Sequence, residues 1–192
     1  MKILGVSSVE GREMLYLKPD SSLLVNKKPF FLPDEGVSFV AQPCVVIRIN
    51  RLGKTVARKF ASRYYSEAAL GFNIRVADNC FNESSARFNM LQMLAFDYSA
   101  VVGEFVAVET LAEPGLSFAV TTISGVKSKR QVSWQQLVTA VDDAIERISS
   151  YLTLRMGDMV CVDFSGEQIV LERELVLSAS VGQEQNVYCR IK

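Results

Sequence analysis

Residues 133–152, SWQQLVTAVDDAIERISSYL, constrain the fold most. A serine opens the stretch with Gln136 three residues on, the spacing of a capping box in which each side chain satisfies a free backbone N–H near the other. Leu137, Val141, Ala144, Ile145, Ile148, Tyr151 and Leu152 recur at three- and four-residue intervals. That rhythm lines them along one face of a helix, with Asp142, Asp143, Glu146 and Arg147 largely on the other. Such a helix demands an apolar surface to lie on. The chain then turns at Gly157-Asp158 and enters an apolar strand over 159–164.

The remaining chain supplies that surface mainly as strands. Residues 36–49 are rich in β-branched and aromatic side chains and predict a strand pair or one bulged strand, with Pro43 at a bulge or an edge. Residues 55–70 predict a helix ended by Gly71, and GFNIRVADN a strand after it. A further helix is expected over 84–95. Strands are expected over 101–110 and 116–123 around a turn at Glu113-Pro114-Gly115, then over 168–179 and 186–191. KSKR at 127–130 reads as a polar hairpin turn. The expectation is one strand-rich α+β domain spanning 1–192, with a few packing helices.

Hydrophobic residues form 49% of the chain and charged residues 22%, enough apolar material for a sizeable core. A formal net charge of zero gives no global attraction toward nucleic acid or acidic membranes. No stretch approaches the roughly 18 apolar residues of a membrane span. The N-terminal apolar patch reaches Glu10 too soon for a signal peptide. Cys44, Cys80, Cys161 and Cys189 are widely spaced within or beside apolar stretches, which suits buried free thiols in a reducing cytoplasm.

The chain has no histidine. That removes the commonest general base and every Ser-His, Cys-His or zinc-histidine arrangement. No phosphate-binding glycine loop or G-x-S-x-G elbow is present either.

In order along the chain, MLYLKPDSSLL (with Lys18, Pro19 and Ser21), VSFVAQPCVVIRINRLGK, SEAALGFNIRVADN, LAFDYSAVVGEFV and ISSYLTLRMGDMVCV together resemble the fumarylacetoacetate hydrolase family. The resemblance implies a mixed β-roll or sandwich of that family's C-terminal type, usually a homodimer. It also implies a cleft in which two glutamates, spaced Glu-x-Glu, and an aspartate hold Mg²⁺ or Mn²⁺ against a keto-acid substrate. Here the glutamate positions read Val40 and Gln42, and the aspartate position reads Ala77. Asp78 stands one residue along, on the opposite face of a regular strand, so it becomes a metal ligand only through a bulge. The lysine that often follows aligns with Leu94, and the Gly-Thr pair that ends the later strand aligns with Asp163-Phe164. Lys18 either points into the cleft or decorates an exposed turn. Asp97 and Asp158 read as turn or capping aspartates.

The expectation is therefore a family member with no catalytic residue, no metal and no cofactor, acting as a homodimeric binding or scaffold protein. Two alternatives stay open. One is a working hydrolase, decarboxylase or tautomerase of small keto acids, with Asp78, Glu83 or Asp97 as substitute acids. The other is an anion or nucleic-acid binder through residues 48–63, where Arg48, Arg51, Lys54, Arg58, Lys59 and Arg63 precede Tyr64 and Tyr65 with no acid among them. The neutral chain does not favour the nucleic-acid reading.

Overall fold

A computed structural model of the chain describes residues 1–9, 12–25, 27–34, 36–77, 94–112, 115–122, 125–164 and 168–192. Thirteen strands and one long helix are defined among the described residues. In chain order the strands are β1 (Ile3–Val9), β2 (Arg12–Lys18), β3 (Leu23–Val25), β4 (Phe39–Ile49), β5 (Tyr65–Val76), β6 (Ala100–Val102), β7 (Val106–Ala107), β8 (Leu116–Thr122) and β9 (Gly125–Val132). Helix α1 (Trp134–Tyr151) follows, then β10 (Met159–Asp163), β11 (Ile169–Val170), β12 (Val176–Val181) and β13 (Glu184–Arg190).

The larger sheet runs β2-β1-β10-β4-β5-β6-β3, with β11 added to β4 and β7 to β5. It is mixed: β1–β10 and β3–β6 are parallel, the other pairs antiparallel. One side chain shows that this sheet is curled. Lys18 ends β2, yet its Nζ lies 2.9 Å from the carbonyl oxygen of Ile74 on β5. Four strand spacings separate β2 from β5 along a flat sheet, about 19 Å at 4.8 Å each. A lysine side chain cannot cover that, so the two edges must swing round toward one another. The short 3₁₀ turn Asp20–Ser22 then carries the chain from the β2 edge directly to β3 at the other edge.

The outward face of this sheet carries the main core. Ala41, Val45 and Ile47 of β4 and Leu70, Phe72 and Ile74 of β5 are fully buried there. Helix α1 covers part of that face with Leu137, Val141, Ala144, Ile145 and Ile148. The smaller sheet, β13-β12-β8-β9, covers another part, and Phe118 of β8 meets Phe72 at 5.7 Å and Phe164 at 4.9 Å between ring centroids. The capping box forms as expected, Ser133 Oγ accepting from the Gln136 N–H and Gln136 Oε1 from the Ser133 N–H.

Several expectations need correction. Residues 55–70 do not form a helix: a 3₁₀ segment, Arg58–Tyr64, is followed by β5, which runs straight through Gly71. Pairing with β4 from Tyr65 to Val76 outweighs the local helical pattern of Glu67, Ala68 and Ala69. Pro43 occupies neither a bulge nor an edge. Its carbonyl accepts from the Phe164 N–H, so its nitrogen faces the same side, where β4 passes from pairing with β10 to pairing with β11. The missing donor falls in that break. Residues 127–130 lie inside β9 rather than at a turn. Residues 101–110 split into β6, β7 and a 3₁₀ turn, Val108–Leu111. Tyr151 and Leu152 are exposed because α1 ends there and the chain leaves its packing surface. The helix expected over 84–95 lies outside the described residues except at its last positions.

Candidate functional site

Strand alternation decides which side chains meet inside the curl. On β4, Val40, Gln42, Cys44 and Val46 point inward while their neighbours join the outer core. The register sets Arg75 beside Val40, Asn73 beside Gln42 and Gly71 beside Cys44. On the other flank, Asp163 of β10 stands opposite Cys44 and Cys161 opposite Val46. Gly5 is level with Cys161, and Tyr16 with Gly5. Both glycines make room: a Cβ on Gly5 would lie 2.0 Å from Tyr16 Cζ, and one on Gly71 would lie 3.2 Å from Cys44 Sγ.

The result is a buried polar chamber set in an apolar lining of Ile3, Val46, Leu94, Ala100 and Met159. Gln42 Oε1 accepts from Ser7 Oγ and from Arg75 Nε, each at 3.0 Å. Arg75 also donates from Nη1 to the Val76 carbonyl at 3.0 Å. Asp163 Oδ2 accepts from Asn73 Nδ2 at 2.8 Å, and Oδ1 from the Tyr16 hydroxyl at 3.3 Å. Lys18 donates to the Ile74 and Ser99 carbonyls and to Ser99 Oγ at 2.9–3.0 Å.

Burial governs the ionisation of this group. It pushes Asp163 up to about 6, against the opposing pull of Asn73, Ser7, Lys18 and Tyr16. It pushes Lys18 down to about 7, with Cys161, Asp163 and Cys44 acting to raise it. Desolvation, then the Asp163 charge, lifts the Tyr16 phenol well above its usual range, and burial with the neighbouring Cys161 lifts the Cys44 thiol. At neutral pH Asp163 is therefore largely a carboxylate, Lys18 is partly protonated, and the Cys44 thiol keeps its proton.

A family model, fumarylacetoacetate (FAA) hydrolase C-terminal, matches residues 5–162, more than half of the chain. The chain belongs to the fumarylacetoacetate hydrolase family. Solved structures share the fold at low identity. A fumarylacetoacetate hydrolase family protein from Yersinia pestis CO92 is 18% identical with a TM-score of 0.81, over 100% of this chain and 92% of that one. Fumarylpyruvate hydrolase from Pseudomonas aeruginosa, solved with Mn²⁺ and pyruvate, is 14% identical with a TM-score of 0.76, over 99% and 88%. 5-Carboxymethyl-2-hydroxymuconate delta-isomerase from Mycobacterium smegmatis is 15% identical with a TM-score of 0.76, over 99% and 78%. No curated protein matches the chain in sequence.

The fumarylacetoacetate hydrolase frame gives the sequence-predicted positions their places. Val40 and Gln42 are neighbours on the inward face, both about 1% exposed. Ala77 follows the end of β5, its N–H donating to Ser38 O, and Leu94 is buried against the chamber. Asp97 is exposed on a turn. Asp78 and Glu83 lie outside the described residues. Lys18 is no turn lysine; it is fully buried. The described residues expected at the ligand positions do not fit a hard dication: Val40 and Ala77 offer no side-chain donor, and the single Gln42 oxygen already receives two hydrogen bonds.

Asp158 acts as the expected turn aspartate, accepting from the Lys2 and Arg155 N–H groups at 3.0 and 2.9 Å and pairing with the Lys2 ammonium. Burial works to raise its pKa, and these donors outweigh it and hold the carboxyl below its usual value. The basic stretch does not form one free cationic face. Arg48 pairs with Glu67, Arg58 with Asp143, and Lys54 donates to the Ser150 carbonyl.

Sequence reasoning missed Ser7, Tyr16, Asn73, Arg75 and Ser99. A signal was present in GFNIRV, where Asn73 and Arg75, two apart, share one face of an otherwise apolar strand.

Proposed function

We propose that this family member works without the divalent-metal chemistry of its relatives and serves as a binding or scaffold protein, as a homodimer. The observation that carries this reading is the Arg75 guanidinium bonded to Gln42 beside Val40, a fixed cation among the positions where the family's carboxylates would gather around a metal. A second cation placed there would meet like charge and no carboxylate from Val40, Gln42 or Ala77. Asp97, exposed on its turn, gives the working-enzyme reading no support.

The test is thermal melting with Mg²⁺, Mn²⁺ and Ca²⁺, with and without oxaloacetate as a small keto acid. A cation held at a hundred times its dissociation constant stabilises by about 2.7 kcal/mol, roughly 5–10 °C for a chain of this size. No shift is expected. A shift of that size, reversed by chelator, would overturn the proposal and direct attention to acids elsewhere in the chain.

A further inference from the structure

We propose that Cys44, Cys161 and Asp163 form a site for a soft divalent cation of the zinc type inside the curled sheet. The proposal is independent of the reading above and uses none of Val40, Gln42 or Ala77. Three observations carry it.

Convergence is the first. One ligand atom from each of the three residues lies within 4.8 Å of the other two. Cys161 Sγ stands 3.7 Å from Asp163 Oδ1. With Zn–S near 2.3 Å and Zn–O near 2.1 Å at a tetrahedral angle, the sulfur–oxygen edge comes to about 3.6 Å. The ligands sit on adjacent central strands, Cys161 and Asp163 two apart on β10 and Cys44 level with Asp163 on β4. Rigid strands hold such an edge better than loops do.

Second, the surrounding side chains suit a metal ligand. Asn73 Nδ2 holds the second carboxylate oxygen, which turns Oδ1 toward the thiols. The Tyr16 hydroxyl donates to the same Oδ1 at 3.3 Å and helps orient it. Asn73 Oδ1 is buried with no hydrogen-bond partner among the described residues, an acceptor left over for a metal-bound water.

Charge is the third. Binding follows two thiols plus M²⁺ giving M(S-Cys)₂ plus two protons, so the net charge of the chamber does not change. A hard cation on carboxylates would add charge beside Lys18 and Arg75; this exchange adds none. In a chain without histidine, thiolate and carboxylate are the zinc-type ligands that remain.

Because these residues are buried, the metal would enter as the chain folds. The full chain is unfolded under reducing conditions, refolded with Co²⁺ or with Zn²⁺, and freed of excess metal by gel filtration. Expected are about one metal per chain, a sulfur-to-cobalt charge-transfer band in the near ultraviolet, and release of about two protons per metal. Cys44→Ser and Cys161→Ser should abolish the band, while Cys189→Ser, altering a buried thiol outside the cluster, should keep it. Asn73→Ala should weaken retention about 10–100-fold. Excess Mg²⁺ should displace nothing. If the serine variants fail to fold, the wild-type spectrum decides. Refolded wild-type protein without metal or band overturns the proposal, as does a band that survives in folded Cys44→Ser and Cys161→Ser or is removed by Mg²⁺.

Discussion

Replacing Lys18 with methionine removes an amine while keeping an unbranched side chain in the same buried channel. The structure sets two effects against each other. Nζ donates to three oxygens, which favours the ammonium, and it lies wholly out of water, which disfavours it. Desolvation prevails and lowers the pKa from 10.5 to about 7. The unfolded chain therefore binds more protons than the folded one between those two values, so stability from this group rises with pH across that window. Its charging penalty is fullest below the folded pKa and vanishes above the unfolded one.

From pH 7 to 8.5, one and a half units at about 1.36 kcal/mol each would give about 2 kcal/mol. Because the amine is half protonated at pH 7, the gain falls to about 1.6 kcal/mol. Thiols in the unfolded chain titrate near the top of that range, about 8.5, in wild type and variant alike, so the difference between the two cancels them. Urea unfolding of wild type and Lys18→Met at half-unit steps should show the wild type gaining that amount relative to the variant. A difference that stays constant over pH 7–8.5 would refute the reasoning and show that the three oxygens hold the ammonium intact.

Two further substitutions test how the frame is held. Gly5→Ala should cost about 1–3 kcal/mol in urea unfolding, because its Cβ would fall inside the Tyr16 ring; an unchanged midpoint would mean that the ring moves aside freely. Asp158→Asn should cost about 1–2 kcal/mol at pH 7 by weakening the contacts of that carboxylate with Lys2 and Arg155. The depressed carboxyl pKa adds stability above its ordinary value that is lost as pH falls through the folded one. The variant should thus lose less stability in acid than wild type, and parallel acid profiles would count against that role.

What was legible in the sequence follows from the range of each interaction. The α1 cap and buried stripe are local, set by residues three and four apart, and they emerged whole except where the helix leaves its support at Tyr151. The fate of residues 65–70 was not local. SEAAL carries a helical pattern, and only the β4 strand lying alongside makes it a strand. Gly71 stops no helix; it lets Cys44 and the Val101 carbonyl approach. The family frame was legible through ordered short motifs. The side chains that surround Gln42 and Asp163 were not, because Ser7, Tyr16, Asn73 and Arg75 come from strands brought together only when the sheet curls.

That curl also separates the packing of the frame from the polar groups of its interior. Ala41, Val45 and Ile47 face the outer core, whereas Val40, Gln42 and Cys44 face the chamber, so period-two alternation separates the two sets on one strand. Changes on the inner face leave the packing against α1 and the smaller sheet untouched. They must still satisfy one another, since a buried charge without partners is costly. Gln42 meets that demand by taking Ser7 and Arg75 on one oxygen, and Asp163 does so by taking Asn73 and Tyr16. Those four partners reach the chamber from β1, β5 and β2, so the same contacts that satisfy Gln42 and Asp163 tie the curled sheet across its interior. Replacing Gln42 by glutamate alone would therefore not create a metal site: the new carboxylate would pair with the Arg75 guanidinium already beside it.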